Sequence, residues 1–312
     1  MRLIESKAEY IPQEEGLEGI YKQIELAGRT AYNSQDKITP DSAKDFVDRM
    51  TKSHHGACLE HGTVYLMIPL DYNAKYEGDN YAGGTRVDFV EKCPYYETNS
   101  YSKSSVIHLN SDMKYPNVPY GYNFKGGIKY QIVTTNFRVL QENNWLDDLQ
   151  YLCSPTEFHE KRYTMRFTCD RGVSHQLVRE RLMSFLQESQ RYCSYIKEKF
   201  GASVTFIQPD WIKTSDQKEF EEDIKAVEKL YFKWLNKGYK AEEARYFLIN
   251  GTKTEIVVTG FAFDWRHMLD LRYFEKTGKV SPDMKDLMQK AQKSMQEAGI
   301  WEDIMSKHSK FE

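Results

Sequence analysis

Apolar side chains recur at helical spacing through Leu17, Ile20, Ile24 and Ala27, and the pattern runs on to Met50 with a polar break from Ser34 to Pro40. That spacing predicts two helices over 17–50. The second is opened by Pro40-Asp41-Ser42, where Asp41 or Ser42 can serve as cap. The run Thr-Val-Tyr-Leu-Met-Ile-Pro from Thr63 to Pro69 is expected as a strand. Residues 130–134 read as a strand, 136–152 as a helix, and 162–169 alternate as a half-buried strand. Asp170 can cap a helix over about 171–181, followed by a polar loop. Beyond lie a short strand at 203–208 and a strongly amphipathic helix at 219–238, closed by Gly238. Helical spacing then continues over 241–247, a short strand covers 255–259, and two helices cover 265–273 and 283–298. Helices and strands mix without regular βαβ alternation, which predicts the α+β class, with a mixed and mainly antiparallel sheet flanked by helices.

One stretch breaks this rhythm. Residues 71–127 hold Gly83-Gly84, Gly126-Gly127, Pro94, Pro116 and Pro119 among many Tyr, Asn and Ser. That is long for a connection within a compact domain, so it reads as an insertion or substrate-side flap in a single catalytic domain over 1–312. A tyrosine-rich hairpin extending a sheet is an equally open reading.

Composition narrows the class. A chain that is 40% hydrophobic and 29% charged is expected to be globular, and no run reaches the ~18 apolar residues of a membrane helix. Forty-six acids against 43 bases leave no positive excess for nucleic acid. The five cysteines form no CxxC pair and are odd in number. This argues against a zinc knuckle or disulfide scaffold and suits a reducing cytoplasm. The N-terminal MRLIESKAEY carries no apolar signal core. A small-molecule ligand is the expectation.

Candidate chemistry is densest from His175 to Tyr192: Gln176, Arg179, Glu180, Arg181, Gln187, Glu188, Ser189, Gln190 and Arg191. Guanidinium groups bind phosphate in bidentate fashion, while Ser and Gln supply directional bonds to an amide-bearing base. A charged helix face laced with Arg–Glu pairs would look the same from spacing alone.

The order of these residues resembles the signature of the flavin-dependent thymidylate synthases, Arg-His-Arg, seven residues, Ser, then Arg-Tyr two positions later. Here it reads Arg179-Glu180-Arg181, Ser189, Arg191-Tyr192, preceded by a similar approach from Asp170 to Gln176. His55 with Leu59-Glu60-His61 is similar to an upstream family element, and Glu243-Ala244-Arg245 to one that supplies a nucleotide-binding arginine. Lys253-Thr254-Glu255, Thr259-Gly260, Trp265-Arg266-His267 and Leu271-Arg272 follow the family's C-terminal block in order and spacing. Residues 17–67 and 130–298 are covered, whereas 71–127 have no counterpart in a minimal member.

The resemblance implies reductive methylation of dUMP to dTMP with FAD, NADPH and methylenetetrahydrofolate, without a cysteine nucleophile, in a cytoplasmic homotetramer with shared active sites. It also implies residue roles. Gln176, Arg179, Gln187, Ser189, Arg191, Arg245 and Arg272 match positions at dUMP, with Arg272 the catalytic group that favours ionisation of the uracil ring. Glu60, Arg179, Glu180, Arg181, Gln187 and His267 match positions near FAD. No metal is implied; around His55 and His61 no Cys or carboxylate completes a ligand set at the usual spacing. The departures gather on the flavin side: Glu180 replaces the middle histidine, Phe261 and Phe263 stand where many members have Asn and Arg, and Ala57 where a hydroxyl residue is frequent. A carboxylate at 180 facing the cofactor would oppose negative charge on a reduced flavin. An altered, for example hydroxymethylating, pyrimidine-nucleotide enzyme and a non-catalytic nucleotide-binding protein are the alternatives.

Overall fold

In the computed structural model, residues 1–70, 93–109, 128–191, 195 and 203–309 are described. Strands β1 (Arg2–Ile4) and β2 (Lys7–Tyr10) precede helices α1 (Gly16–Ala31), α2 (Ser42–Lys52) and α3 (Gly56–Leu59). Next come β3 (Thr63–Pro69), α4 (Tyr95–Thr98), β4 (Lys103–Leu109), β5 (Ile128–Asn136), α5 (Phe137–Asn143), β6 (Arg162–Asp170), α6 (Arg171–Leu177), β7 (Ser184–Gln187) and β8 (Thr205–Ile207). Helices α7 (Gln217–Asn236) and α8 (Ala241–Ala244), strand β9 (Lys253–Phe261) and helices α9 (Ala262–Arg272), α10 (Pro282–Glu297) and α11 (Trp301–Met305) complete the chain. The expected α+β class, with mainly antiparallel pairing, is what the strands form.

Contacts divide the chain into two compact units, one of 1–12, 25–43 and 163–312, the other of 13–24 and 44–162. The first unit holds a sheet ordered β2-β6-β9-β7 and a parallel pair, β1-β8. Strands β2 and β6 are antiparallel, as are β7 and β9. Helix α10 starts where its sequence dictates: Pro282 occupies the first turn, and the Ser281 hydroxyl accepts from Met284 N at 3.4 Å. Its Met284, Leu287, Met288, Ala291 and Met295 recur every three to four residues. All are buried in one core with Met165, Phe167, Val258, Trp265 and Met268. Trp265 keeps its indole N–H satisfied there by donating to Tyr163 O at 3.0 Å.

The second unit is organised around the antiparallel sheet β3-β5-β4. Gly62 fits this packing because a β-carbon would come within 2.7 Å of Ile24 Cδ1. Of the expected insertion, 71–92 and 110–127 lie outside the described residues. The described part, 93–109, extends the sheet by an edge strand, β4, and is clasped by Tyr95 and Tyr96, whose hydroxyls donate to Asp148 at 2.8 and 2.7 Å.

Three expectations need correction. The helix expected over 136–152 breaks at Asn144, which adopts φ 60°; α5 ends there and a 3₁₀ turn, Leu146–Tyr151, follows. The helix expected over 171–181 stops after Leu177. The supposed polar loop begins with β7, whose Ser184–Gln187 pair with Thr259–Ile256. Strands β1 and β2 were not foreseen, because short, partly exposed segments with polar ends show no clear period.

Candidate active site

Most of the expected site residues sit in the first unit, on the path β6–α6–turn–β7 and on the facing β9, α8 and α9. Asp170 caps α6 as expected, its Oδ1 accepting from Val173 N at 2.8 Å. The backbone N–H of Arg171 reaches the carbonyls of Asn250 and Thr252 at 2.8 and 3.2 Å, tying the start of α6 to the loop before β9. At the far end of α6, Gln176 donates its side-chain amide to Ser281 Oγ (3.1 Å), and its backbone carbonyl accepts from Arg272 Nη2 (3.2 Å). Gln187 donates to Ser174 Oγ and Thr254 Oγ1 at 2.8 and 3.1 Å.

The segment after β7 is held by a buried carboxylate. Glu188, 4% exposed, accepts from Asn33 Nδ2 at 2.8 Å and from the Lys253 ammonium at 3.0 Å. Its backbone N–H donates to Glu255 O (2.7 Å), and Ser189 N–H donates to Ala31 O (3.0 Å). Ser189 Oγ in turn accepts from Arg191 N (3.3 Å). Residues 187–191 are therefore positioned by bonds on both sides, with Arg191 left at the surface. Tyr192, which completes the signature, lies outside the described residues.

Charge pairing separates two kinds of arginine. Arg29, Arg138, Arg166 and Arg266 each meet a carboxylate, on Glu25, Glu60, Glu9 and Asp270 respectively. Arg171, Arg179, Arg181, Arg245 and Arg272 have no carboxylate partner among the described residues. Of these, Arg179, Arg181 and Arg245 are exposed and Arg171 and Arg272 half-buried. The Nε of Arg272 and the side-chain amide nitrogen of Gln190 are buried without a hydrogen-bond partner, and Gln190 as a whole is only 8% exposed. A buried donor left unpaired costs about 1–3 kcal/mol, so each offers a place for an acceptor on a ligand. Gln190 lies in the stretch the sequence marks as densest and Arg171 in the approach to it, but neither is given a role from sequence. Nothing in local periodicity distinguishes them from their charged neighbours; the signal is the missing partner, which only the fold shows.

On the flavin side, Glu180 and His267 are brought together. Glu180 is buried at 8% exposure, and its carboxylate lies 3.6 Å from His267 Nε2. The adjacent Arg179 and Arg181 point outward into exposed positions. Glu180 thus faces α9 with an imidazole beside its carboxylate, rather than standing open. Glu60 belongs to the second unit, where Arg138 pairs with it. Phe261 is buried at the start of α9, and Ala57 is exposed. His61, in the second unit, is fully buried, and its pKa falls to about 3 through burial and then the nearby Arg162 charge, so it is neutral. No group of His, Cys, Asp or Glu suited to a metal occurs among the described residues. No described helix is long and apolar enough to cross a membrane.

A family model, that of the thymidylate synthase complementing protein, matches residues 131–298, more than half of the chain. The chain belongs to that family. The matched region carries the unpaired arginines, Gln190, Glu180 and His267. Similar curated proteins include the flavin-dependent thymidylate synthases of Pyrococcus furiosus, 35% identical over 111 residues, and of Geobacter sulfurreducens, 34% identical over 108. These alignments cover 35% and 34% of this chain and 44% and 45% of the relatives, so less than half of each relative is spanned. Among solved structures, a UMP/dUMP methylase, PolB from Streptomyces cacaoi bound with 5-Br dUMP, aligns over 98% of this chain and 97% of its own at 14% identity, with a TM-score of 0.40.

Proposed function

We propose that the protein is a flavin-dependent thymidylate synthase that converts dUMP to dTMP, using FAD with methylenetetrahydrofolate and NADPH as co-substrates. The observation that carries this reading is the set of guanidinium groups without carboxylate partners on α6, the following turn, the segment after α8, and α9, together with the buried unpaired Nε of Arg272. Gln176, Gln187, Ser189 and Arg191 would orient the nucleotide, Arg191 and Arg245 supplying charge for its phosphate. Arg272 would stabilise negative charge developing on the uracil ring, since a guanidinium stays protonated at working pH.

FAD fits the donors present: Arg179 and Arg181 offer exposed, unpaired cations, and His267, beside Glu180, a polar contact; Gln187 would contribute through its side-chain carbonyl. When bound, the flavin supplies the hydride, so the chain's contribution is binding, orientation and charge stabilisation. The homotetramer with shared sites and the cytoplasmic location are part of the same proposal and rest on the family resemblance. Incubation with FAD, NADPH, methylenetetrahydrofolate and dUMP should yield a nucleotide heavier by one methylene group. A hydroxymethylated product would replace this reading with the altered enzyme, and unchanged dUMP with bound nucleotide would replace it with a binding protein.

A further inference from the structure

Strand β7 stops where its ladder with β9 could take one more step. The register that pairs Gln187 with Ile256 would next set Glu188 opposite Glu255, joined by two backbone bonds. One forms, from Glu188 N–H to Glu255 O at 2.7 Å; the Glu255 N–H turns instead to the Glu188 carboxylate, Oε2, at 3.2 Å. The side chain stands in for its own carbonyl, and the chain leaves the sheet at this residue. The same Oε2 accepts from the Lys253 ammonium at 3.0 Å, and Oε1 accepts from Asn33 Nδ2 at 2.8 Å. Asn33 follows α1 in a left-handed conformation, φ 46°, which asparagine tolerates. Close by, Ser189 N–H donates to Ala31 O at 3.0 Å, satisfying a carbonyl of the kind a helix leaves open at its end. Lys253 also meets Glu255 at 2.9 Å. The side chains of Glu188 and Lys253 are only 4% and 14% exposed. Burial would lower the Lys253 pKa, but Glu188 and then Glu255 more than reverse this, so the ammonium keeps its charge.

We propose that Glu188, with Lys253 as its counter-charge, is a positioning residue: its carboxylate ends β7 and turns Ser189, Gln190 and Arg191 out of the sheet into the arrangement that receives a nucleotide. Both carboxylate oxygens are engaged by the protein and the side chain is closed to solvent, so Glu188 acts through its neighbours and not on the ligand. An ionised acceptor suits the task, because hydrogen bonds to a charged group are roughly twice as strong as neutral ones. An apolar residue at 188 would free the Glu255 N–H to bond the backbone carbonyl of that residue. The ladder would then run one step further, drawing Ser189 from Ala31 O and redirecting the residues after it, since side chains alternate along a strand. The nucleotide rests on the functional reading above; the strand ending rests on the bonds around Glu188 alone.

Two measurements on the full chain separate these. In the ligand-free protein, hydrogen exchange read by mass spectrometry should show Glu188→Ala speeding exchange of the amides at 189–191 by about tenfold or more, with α10 unchanged. Lys253 keeps Glu255 as a counter-charge in this variant, which protects the fold. Calorimetric titration should show dUMP binding weakened by about tenfold or more, the size of one lost hydrogen bond to a charged group, and FAD binding held within about twofold. Glu188→Gln keeps an acceptor toward Lys253 and the Glu255 N–H and should recover most of both losses. Unchanged exchange in Glu188→Ala, unchanged dUMP affinity despite faster exchange, equal losses of dUMP and FAD, or a glutamine variant no better than alanine would overturn the proposal and leave the nucleotide reading standing. Absence of dUMP binding by the unmodified protein would overturn that reading instead; faster exchange confined to 189–191 and rescued by glutamine would still uphold Glu188 as the residue that ends β7.

Discussion

Arg266 and Arg272 lie on the same helix, α9, and meet opposite fates. Arg266 faces Asp270, which is fully buried and also receives Lys276 at 3.3 Å and the Ser309 hydroxyl at 2.5 Å. Its guanidinium further donates to Met305 O at 3.0 Å, so this end of the helix ties down the C-terminal segment. Arg272 contributes one bond to a carbonyl and keeps a buried Nε without a partner. One arginine is saturated by the protein and stabilises the fold; the other retains binding capacity the protein does not fill. Residue type and position on a helix therefore do not separate structural from functional arginines, whereas the partner list does.

The sharpest way to break this comparison is to remove the partner from the saturated side. Asp270→Ala leaves Arg266 and Lys276 without their buried counter-charge and should cost about 3–5 kcal/mol of stability by urea denaturation. Arg272→Ala should shift the same curve by less than about 1 kcal/mol. The pH dependence follows. Burial would push the Asp270 carboxyl up, but Ser309, Lys276 and Arg266 more than reverse this and hold it below its ordinary value. A depressed carboxyl stabilises the fold above its unfolded pKa of about 3.9 and loses that contribution as pH falls through the folded value. Asp270→Asn should therefore flatten the acid limb below about pH 4. An unchanged limb would mean the network contributes nothing.

A basic side chain can also be silenced by burial, and His61 is that third case. Its folded pKa of about 3 lies below the unfolded value of about 6.5. Between those values the unfolded chain binds a proton the folded one does not, so stability declines as pH falls, by about 1.4 kcal/mol per pH unit. His61→Asn should remove that slope, whatever it costs at neutral pH. The same slope in the variant would assign it to another group, such as His159, which burial also lowers.

On the unsaturated side, Arg272→Ala should lower kcat for dTMP formation by roughly a hundredfold or more, the size of one lost oxyanion donor, with a smaller change in KM. A loss confined to KM would make Arg272 a ground-state ligand, with no part in stabilising charge on the ring.

Much of the frame was legible from sequence, because β3, β6, α7 and α10 bury one face or one run and so carry a clear period. What failed was local and short. Strand β7 is four residues with polar ends, and its pairing with β9 is a long-range fact no window contains. Asn144 ended α5 through a left-handed conformation that asparagine tolerates but does not announce. At the site, the signature order marked a segment that lies within the region matched by the family model. It could not show that Glu180 turns to His267, that Arg171 has no ion pair among the described residues, or that the Gln190 amide nitrogen is buried without a hydrogen bond, since each is a statement about what else is nearby in space.

The smallest expected effect concerns a thiol. Cys169 lies on β6 directly before the cap of α6, 1% exposed, and Cys193, near Arg191 in the chain, lies outside the described residues. Burial, with the neighbouring Asp170 charge, pushes the Cys169 thiol well above its ordinary pKa, so almost no thiolate forms at neutral pH. A nucleophilic cysteine needs the opposite environment, partly exposed and beside positive charge. Arg171 and Lys253 do act on Cys169 in that direction, but burial outweighs them. Cys169→Ser should therefore keep turnover per folded molecule within about tenfold, under ~1.4 kcal/mol of barrier. Serine buries a hydroxyl in an apolar core, so stability should drop by about 1–3 kcal/mol, and the assay must be normalised to folded protein by near-ultraviolet circular dichroism. The Cys169→Ser Cys193→Ser double variant should behave in the same way. A thousandfold loss in a folded variant would place the chemistry on sulfur and demote the arginines without partners to binding alone.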